Sequence, residues 1–94
     1  MTDSFSTKPK VVFTHHAEDK FDILARHGFS VSRAQVMDAL LEPDSVFPTT
    51  KDRQIAQKAV SEHHVLRVVY RKEGEVLVVI TFYPGRRKHY ESSI

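Results

Sequence analysis

The sequence has no cysteine. That removes disulfides, thiolate metal sites, iron–sulfur clusters and thiol nucleophiles at once, and it is compatible with a reducing cytoplasm. Only three glycines are present, none in a phosphate-cradling spacing, so P-loops, dinucleotide fingerprints and serine-hydrolase elbows are excluded. The opening MTDSFSTKPK lacks the apolar core of a signal peptide, and no apolar run approaches the ~20 residues that span a bilayer. The sequence therefore reads as a soluble, cytoplasmic protein without membrane attachment. With 94 residues, 40% of them hydrophobic, there is room for one sheet face covered by one layer of helix, and little for a second domain.

Charge is scarce in total and uneven in place. Residues 1–47 carry five basic and seven acidic side chains, whereas residues 48–94 carry nine basic and five acidic ones. The net charge of +2 is small, so an anionic partner is to be sought by clustering in the second half rather than by overall field.

The pattern along the chain predicts an α+β fold. Residues 1–10 are a polar arm, 11–91 a single domain and 92–94 a tail. A short strand at Val11-Val12-Phe13 precedes a helix over 15–27, capped by Thr14, with Ala17, Phe21 and Leu24 on one face and Gly28 as its stop. Ser32 and Gln35 have capping-box spacing and open a second helix near 33–42, which Pro43 ends. A brief extended Val46-Phe47 segment follows, and then three β segments, 54–60, 64–71 and 75–83, form an antiparallel meander. A three-residue turn ending in Gly74 would set Arg71 opposite Glu75. Leu66, Val68 and Tyr70 would then share the helix-covered face with Val76, Val78, Ile80 and Phe82. Val65, Arg67, Val69 and Arg71 would share the open face with Leu77, Val79, Thr81 and Tyr83.

The candidate chemistry lies on that open face and beyond it. Arg67, Arg71, Tyr83, Arg86, Arg87, Lys88, His89 and Tyr90 supply guanidinium forks, point charges and rings, the donors that hold phosphate oxygens and unstacked bases. Thr81 stands beside Arg67 and Tyr83, and Lys58 is expected to join them from the neighbouring strand. For the same residues, the alternative is a charged edge that keeps the last strand from pairing with other chains. Metal-free RNA cleavage needs a base, cations around the phosphate and an acid for the leaving oxygen. His16, His63, His64 and His89 are the proton carriers by residue type, with Tyr83 or Tyr90 as the other choice. His15 with Asp19, or the His63-His64 pair, could contribute metal ligands. Adjacent histidines diverge, however, and no HExxH or spaced ligand set exists, so neither metal nor cofactor is expected. The carboxylates Glu18, Asp19 and Asp22 read as the solvated face of the first helix.

Phe13-Thr14-His15-His16-Ala17, Arg26-His27-Gly28, the run Val65 to Tyr70 and the run Val78 to Pro84 together resemble a domain-of-unknown-function family related to the RelE/ParE and BrnT toxins. The resemblance spans roughly residues 11–91. It implies two N-terminal helices packed on an antiparallel sheet of three to four strands. It further implies a toxin of a toxin–antitoxin pair that cleaves mRNA without metal, free or on the ribosome, and that is held by an acidic antitoxin. In that scheme Arg67 and Arg87 stabilise the scissile phosphate, Tyr83 or a histidine moves the proton, and Arg86, Lys88 and Tyr90 grip RNA. His16 matches the family's motif at the first helix and joins the catalytic candidates. The competing expectation is a non-catalytic module that uses the same face to bind an acidic protein or a DNA-gyrase-like target.

Overall fold

Two helices and five strands follow one another in a computed structural model that describes residues 9–50 and 52–87. They are β1 (Lys10–Phe13), α1 (His15–Arg26), α2 (Arg33–Leu41), β2 (Ser45–Pro48), β3 (Gln54–Ala59), β4 (His64–Glu73) and β5 (Val76–Arg86). Lys88, His89 and Tyr90, most of the expected arm and the expected tail lie outside the described residues.

Both helices start where the sequence provides a cap. Thr14 is extended and its hydroxyl accepts from the Ala17 amide, satisfying one of the orphan donors of the first turn. At the other end Gly28 takes φ +83°, while its amide reaches Ala25 O and that of Phe29 reaches Leu24 O. This is the Schellman closure, and it needs a residue without a Cβ penalty at that point. Ser32 and Gln35 form the expected capping box at α2.

The strands form one sheet in the order β1-β5-β4-β3-β2. β1 runs parallel to β5, and the remaining pairs are antiparallel. The expected antiparallel sheet of three to four strands is thus corrected to a mixed sheet of five. The two short segments at 11–13 and 46–47 become its edges, and the helices follow the first strand instead of preceding the sheet. A parallel edge is reached because α1 and α2 carry the chain over one face between β1 and the meander.

That face holds the core. α1 packs on β5 and β1, α2 on β4 and β3. Ala17, Val36 and Ala39 meet Ala56, Leu66, Val68, Val79 and Phe82, all fully buried. The Phe21 ring bridges Phe82 and Phe13 at centroid distances of 4.7 and 5.9 Å. Phe82 is the largest fully enclosed side chain, and truncating such a residue to alanine costs about 3–5 kcal/mol.

The β4–β5 hairpin differs from the sequence expectation in two ways. Its loop is the pair Gly74-Glu75, with Glu73 opposite Val76 and Arg71 opposite Val78, not Glu75. Gly74 at φ +63° leads the loop, as two-residue turns with glycine first require. The register also shifts, since Val69 pairs with Thr81 and Tyr70 with Val79, leaving Ile80 as an extra residue. Such a bulge reverses the alternation on one side of itself. Thr81, Phe82 and Tyr83 keep their expected faces. Leu77 and Val79 move to the helix side, packed with Tyr70 and Phe82, and Val76 and Val78 go to the open face. Thr14 seats on this bulge, because its amide donates to Val79 O at 3.0 Å and its hydroxyl to Ile80 O at 3.1 Å.

Candidate functional site

The helices lie on one face of the sheet, and the centre of the other face is a row across three strands. Gln57 of β3 pairs with Arg67 of β4, which pairs with Tyr83 of β5. Residues directly opposed on a sheet have their side chains in reach of one another. The Arg67 guanidinium accordingly donates from Nε to Tyr83 Oη at 3.2 Å and from Nη1 to Gln57 Oε1. Its Cζ lies 5.7 Å from the Phe47 ring centroid and 5.9 Å from that of Tyr83, within cation–π range. Gln57 is buried, with 4% of its surface exposed. These two acceptors are neutral groups, and the bonds to them fix the orientation of the fork.

One step along β5 on the same face, the Thr81 hydroxyl oxygen is buried and has no hydrogen-bond partner among the described residues. Val65 and Val78 lie on this side and are buried without belonging to the helix-packed core. Val12 and Phe47, at 42% and 39%, are the large apolar side chains exposed here.

The structure divides the other expected residues among separate places. Arg71 shares the Arg67 face but lies four residues along β4, about 13 Å away, and is paired with Glu73 at 2.5 Å. Lys58 does not join the open face, which corrects the expectation. It is opposite Leu66, on the helix side, with Nζ 2.9 Å from Asp38 of α2. Its pKa is raised first by that hydrogen bond, against which burial acts, and then by the negative charges of Asp38, Glu42 and Asp44. His16 is exposed on α1, in the layer on the far side of the sheet from Arg67.

Arg86 and Arg87 are not beside Arg67 either. Arg86 pairs with His64 at the end of β5. Arg87 donates its amide to His63 O at 2.9 Å and its Nη1 to Ser61 O at 3.3 Å. They form a second group with His63, His64 and Ser61 at the β3–β4 turn. Of the expected site, the structure brings together Arg67, Tyr83 and Thr81. It adds Gln57 and Phe47, which no motif marks. Only the pairing register of β3 with β2 and β4 reveals them.

In chemical terms, the Tyr83 hydroxyl accepts from a guanidinium and its own proton is therefore directed elsewhere. A phenol so placed can hand that proton to an oxygen in front of the face while the cation stands beside the negative charge left behind. Among the described residues no group of histidine and carboxylate side chains is arranged to hold a metal ion. Among the described residues no helix is long and apolar enough to cross a membrane.

No family model matches the chain, and no curated protein matches it. Among solved structures it is similar to the ribonuclease toxin BrnT of Brucella abortus, known at 1.1 Å. The two share 24% sequence identity with a TM-score of 0.51, over 84% of this chain and 97% of that one. The likeness expected to BrnT therefore holds at the level of the fold: this chain has the α+β architecture of that toxin, two helices on a five-stranded mixed sheet.

Proposed function

We propose that the protein is the toxin of a toxin–antitoxin pair and an endoribonuclease that needs no metal, as the RelE-like resemblance implies. The observation that carries the reading is the Arg67–Tyr83 pair, a fixed cation and a phenol 3.2 Å apart on the sheet face opposite the helices. The scissile phosphate lies against Arg67. The RNA 2′-hydroxyl attacks phosphorus and releases its proton to water, the bond from phosphorus to the 5′ oxygen breaks, and that oxygen takes the Tyr83 proton. Water reprotonates the phenolate. Arg67 offsets the charge gained by the phosphate, and the Phe47 ring offers a surface for a base.

The test is cleavage of mRNA by purified protein, free and on ribosomes, with and without a chelator. Wild type is expected to cut in both chelator conditions, and Arg67→Met to lose about 10²–10³-fold in rate, the scale of one lost charge-stabilising donor. A folded wild-type protein that yields no RNA product under any of these conditions would overturn the reading.

The exposed Val12 and Phe47 on the same face favour a role in protein binding as well. An acidic antitoxin segment that folds as it wraps the face would cover both the apolar residues and the cation. Were the protein solely such a module, Phe47→Asp would abolish partner binding, Tyr83→Phe would leave it unchanged, and no RNA would be cut.

A further inference from the structure

The turn between β3 and β4 is held more firmly than a solvated loop requires. The amides of Val60 and Ser61 both donate to His64 O, and those of His63 and His64 both reach the Ser61 hydroxyl. Arg87 clamps the turn from the far strand through the His63 and Ser61 carbonyls. The His64 ring is fixed twice, edge-on to Phe29 at a centroid distance of 5.3 Å and through Nδ1 to the Ser61 hydroxyl at 3.4 Å. Between this turn and the end of β5 is a cavity of about 410 Å³ lined by Glu62, His63, His64 and Arg86.

We propose that this cavity is a binding site for a phosphoryl group, distinct from the Arg67 row. Arg86 presents a planar fork that suits two phosphate oxygens, and His63 and His64 each add a ring N–H and, when protonated, a charge. The fixed turn means that little ordering is lost on binding. Glu62 is the opposing charge. Its carboxylate is 4.0 Å from His63 Nε2 and strongly exposed, so it turns toward one imidazole and weakens the site without filling it. The site lies on the helix side of the sheet, three residues along β5 from Tyr83 and about 10 Å away, and it does not depend on the Arg67 reading.

The experiment is a titration of the full chain with inorganic phosphate, and in a parallel arm with a nucleoside 3′-monophosphate, followed by the imidazole NMR signals of His63 and His64. Saturable shifts are expected. Arg86→Gln should weaken binding about tenfold or more, and Glu62→Gln should tighten it severalfold by removing the repulsive charge. Tyr83→Phe, on the other face, should leave these signals and their midpoint unchanged. Equal midpoints for both ligands would identify free phosphate as the natural occupant, and a tighter nucleotide would identify the end of a nucleic acid strand. The proposal is overturned if His63 and His64 do not respond, if folded Arg86→Gln binds as wild type does, or if Glu62→Gln weakens binding. RNA cleavage without a phosphate response would sink this site while leaving the Arg67 reading intact, and the reverse pattern would do the opposite.

Discussion

Arg67 and Tyr83 occupy directly opposed positions on β4 and β5, and the guanidinium Nε donates to the phenol oxygen at 3.2 Å. Sheet register sets this contact: a slip of one residue would send Tyr83 into the helix layer. The same arginine reaches across to Gln57 on β3, so one side chain ties three strands together on the face where chemistry is proposed.

Arg67 and Gln57 are therefore expected to be coupled in stability. Arg67→Met leaves the buried Gln57 oxygen without that donor, at a cost of about 1–3 kcal/mol. Replacing both, Arg67→Met with Gln57→Leu, should recover most of the loss, because an apolar pair in the same space strands no polar group. Urea denaturation of the two single variants and the double would show an interaction energy well away from zero. Strict additivity would mean that the bond holds nothing.

Tyr83→Phe should separate chemistry from binding. The phenol oxygen accepts from Arg67 at a half-buried position, so water can replace it and stability should change by less than about 1 kcal/mol. If the hydroxyl supplies the proton to the leaving oxygen, kcat falls by about 10²-fold or more while KM stays near the wild-type value. A variant with a raised KM and an unchanged kcat would show that Tyr83 only holds substrate.

Thr14 is expected to matter more than an ordinary cap. Its hydroxyl accepts from Ala17 N and donates to Ile80 O, fastening the start of α1 to the bulge in β5. Thr14→Val keeps the shape and loses both bonds, for about 1–3 kcal/mol, whereas Thr14→Ser should stay within about 0.5 kcal/mol of wild type. Thermal melts of the three proteins would decide it, and a loss for Ser with none for Val would place the effect in the methyl group.

The same bulge marks the limit of what the residues disclosed. Helix starts at Thr14 and Ser32 and the stop at Gly28 were legible because capping is local chemistry, written in residues three or four apart. That Arg67, Thr81 and Tyr83 share a face was legible because they lie on the side of Ile80 where alternation from the turn and alternation from the register agree. The direct opposition of Arg67 and Tyr83 was not legible, since a turn that sets Arg71 opposite Glu75 puts Val79 opposite Arg67. Leu77 and Val79 were misplaced because a run of consecutive apolar residues, Val76 to Ile80, has no polar residue to reveal an inserted position. Lys58 was misplaced for a related reason. In Gln54–Ala59 a glutamine is buried and a lysine faces the helices, and only Asp38 on α2, twenty residues earlier, explains it. Gln57 had no signal at all, since its role exists only once β3 is in register with β4.

Alkaline pH should destabilise the fold through two groups. Burial raises the Tyr70 pKa above its ordinary 10.0, and Asp38 raises that of Lys58 above 10.5. In both cases the folded state holds its proton more tightly than the unfolded chain does. The stabilisation is fully present below the unfolded-state pKa and is lost as pH rises through the folded-state value. Between about pH 9 and about pH 11.5 the urea midpoint of the wild type should fall. Tyr70→Phe should fall less steeply, because the buried ring no longer has a proton to lose. Asp38→Asn should start from a lower midpoint at neutral pH and also show a shallower decline, because Lys58 then loses the hydrogen-bonded carboxylate that raises its pKa most. A wild type whose midpoint is flat across this range, or a Tyr70→Phe variant that declines as the wild type does, would show that neither group is linked to folding.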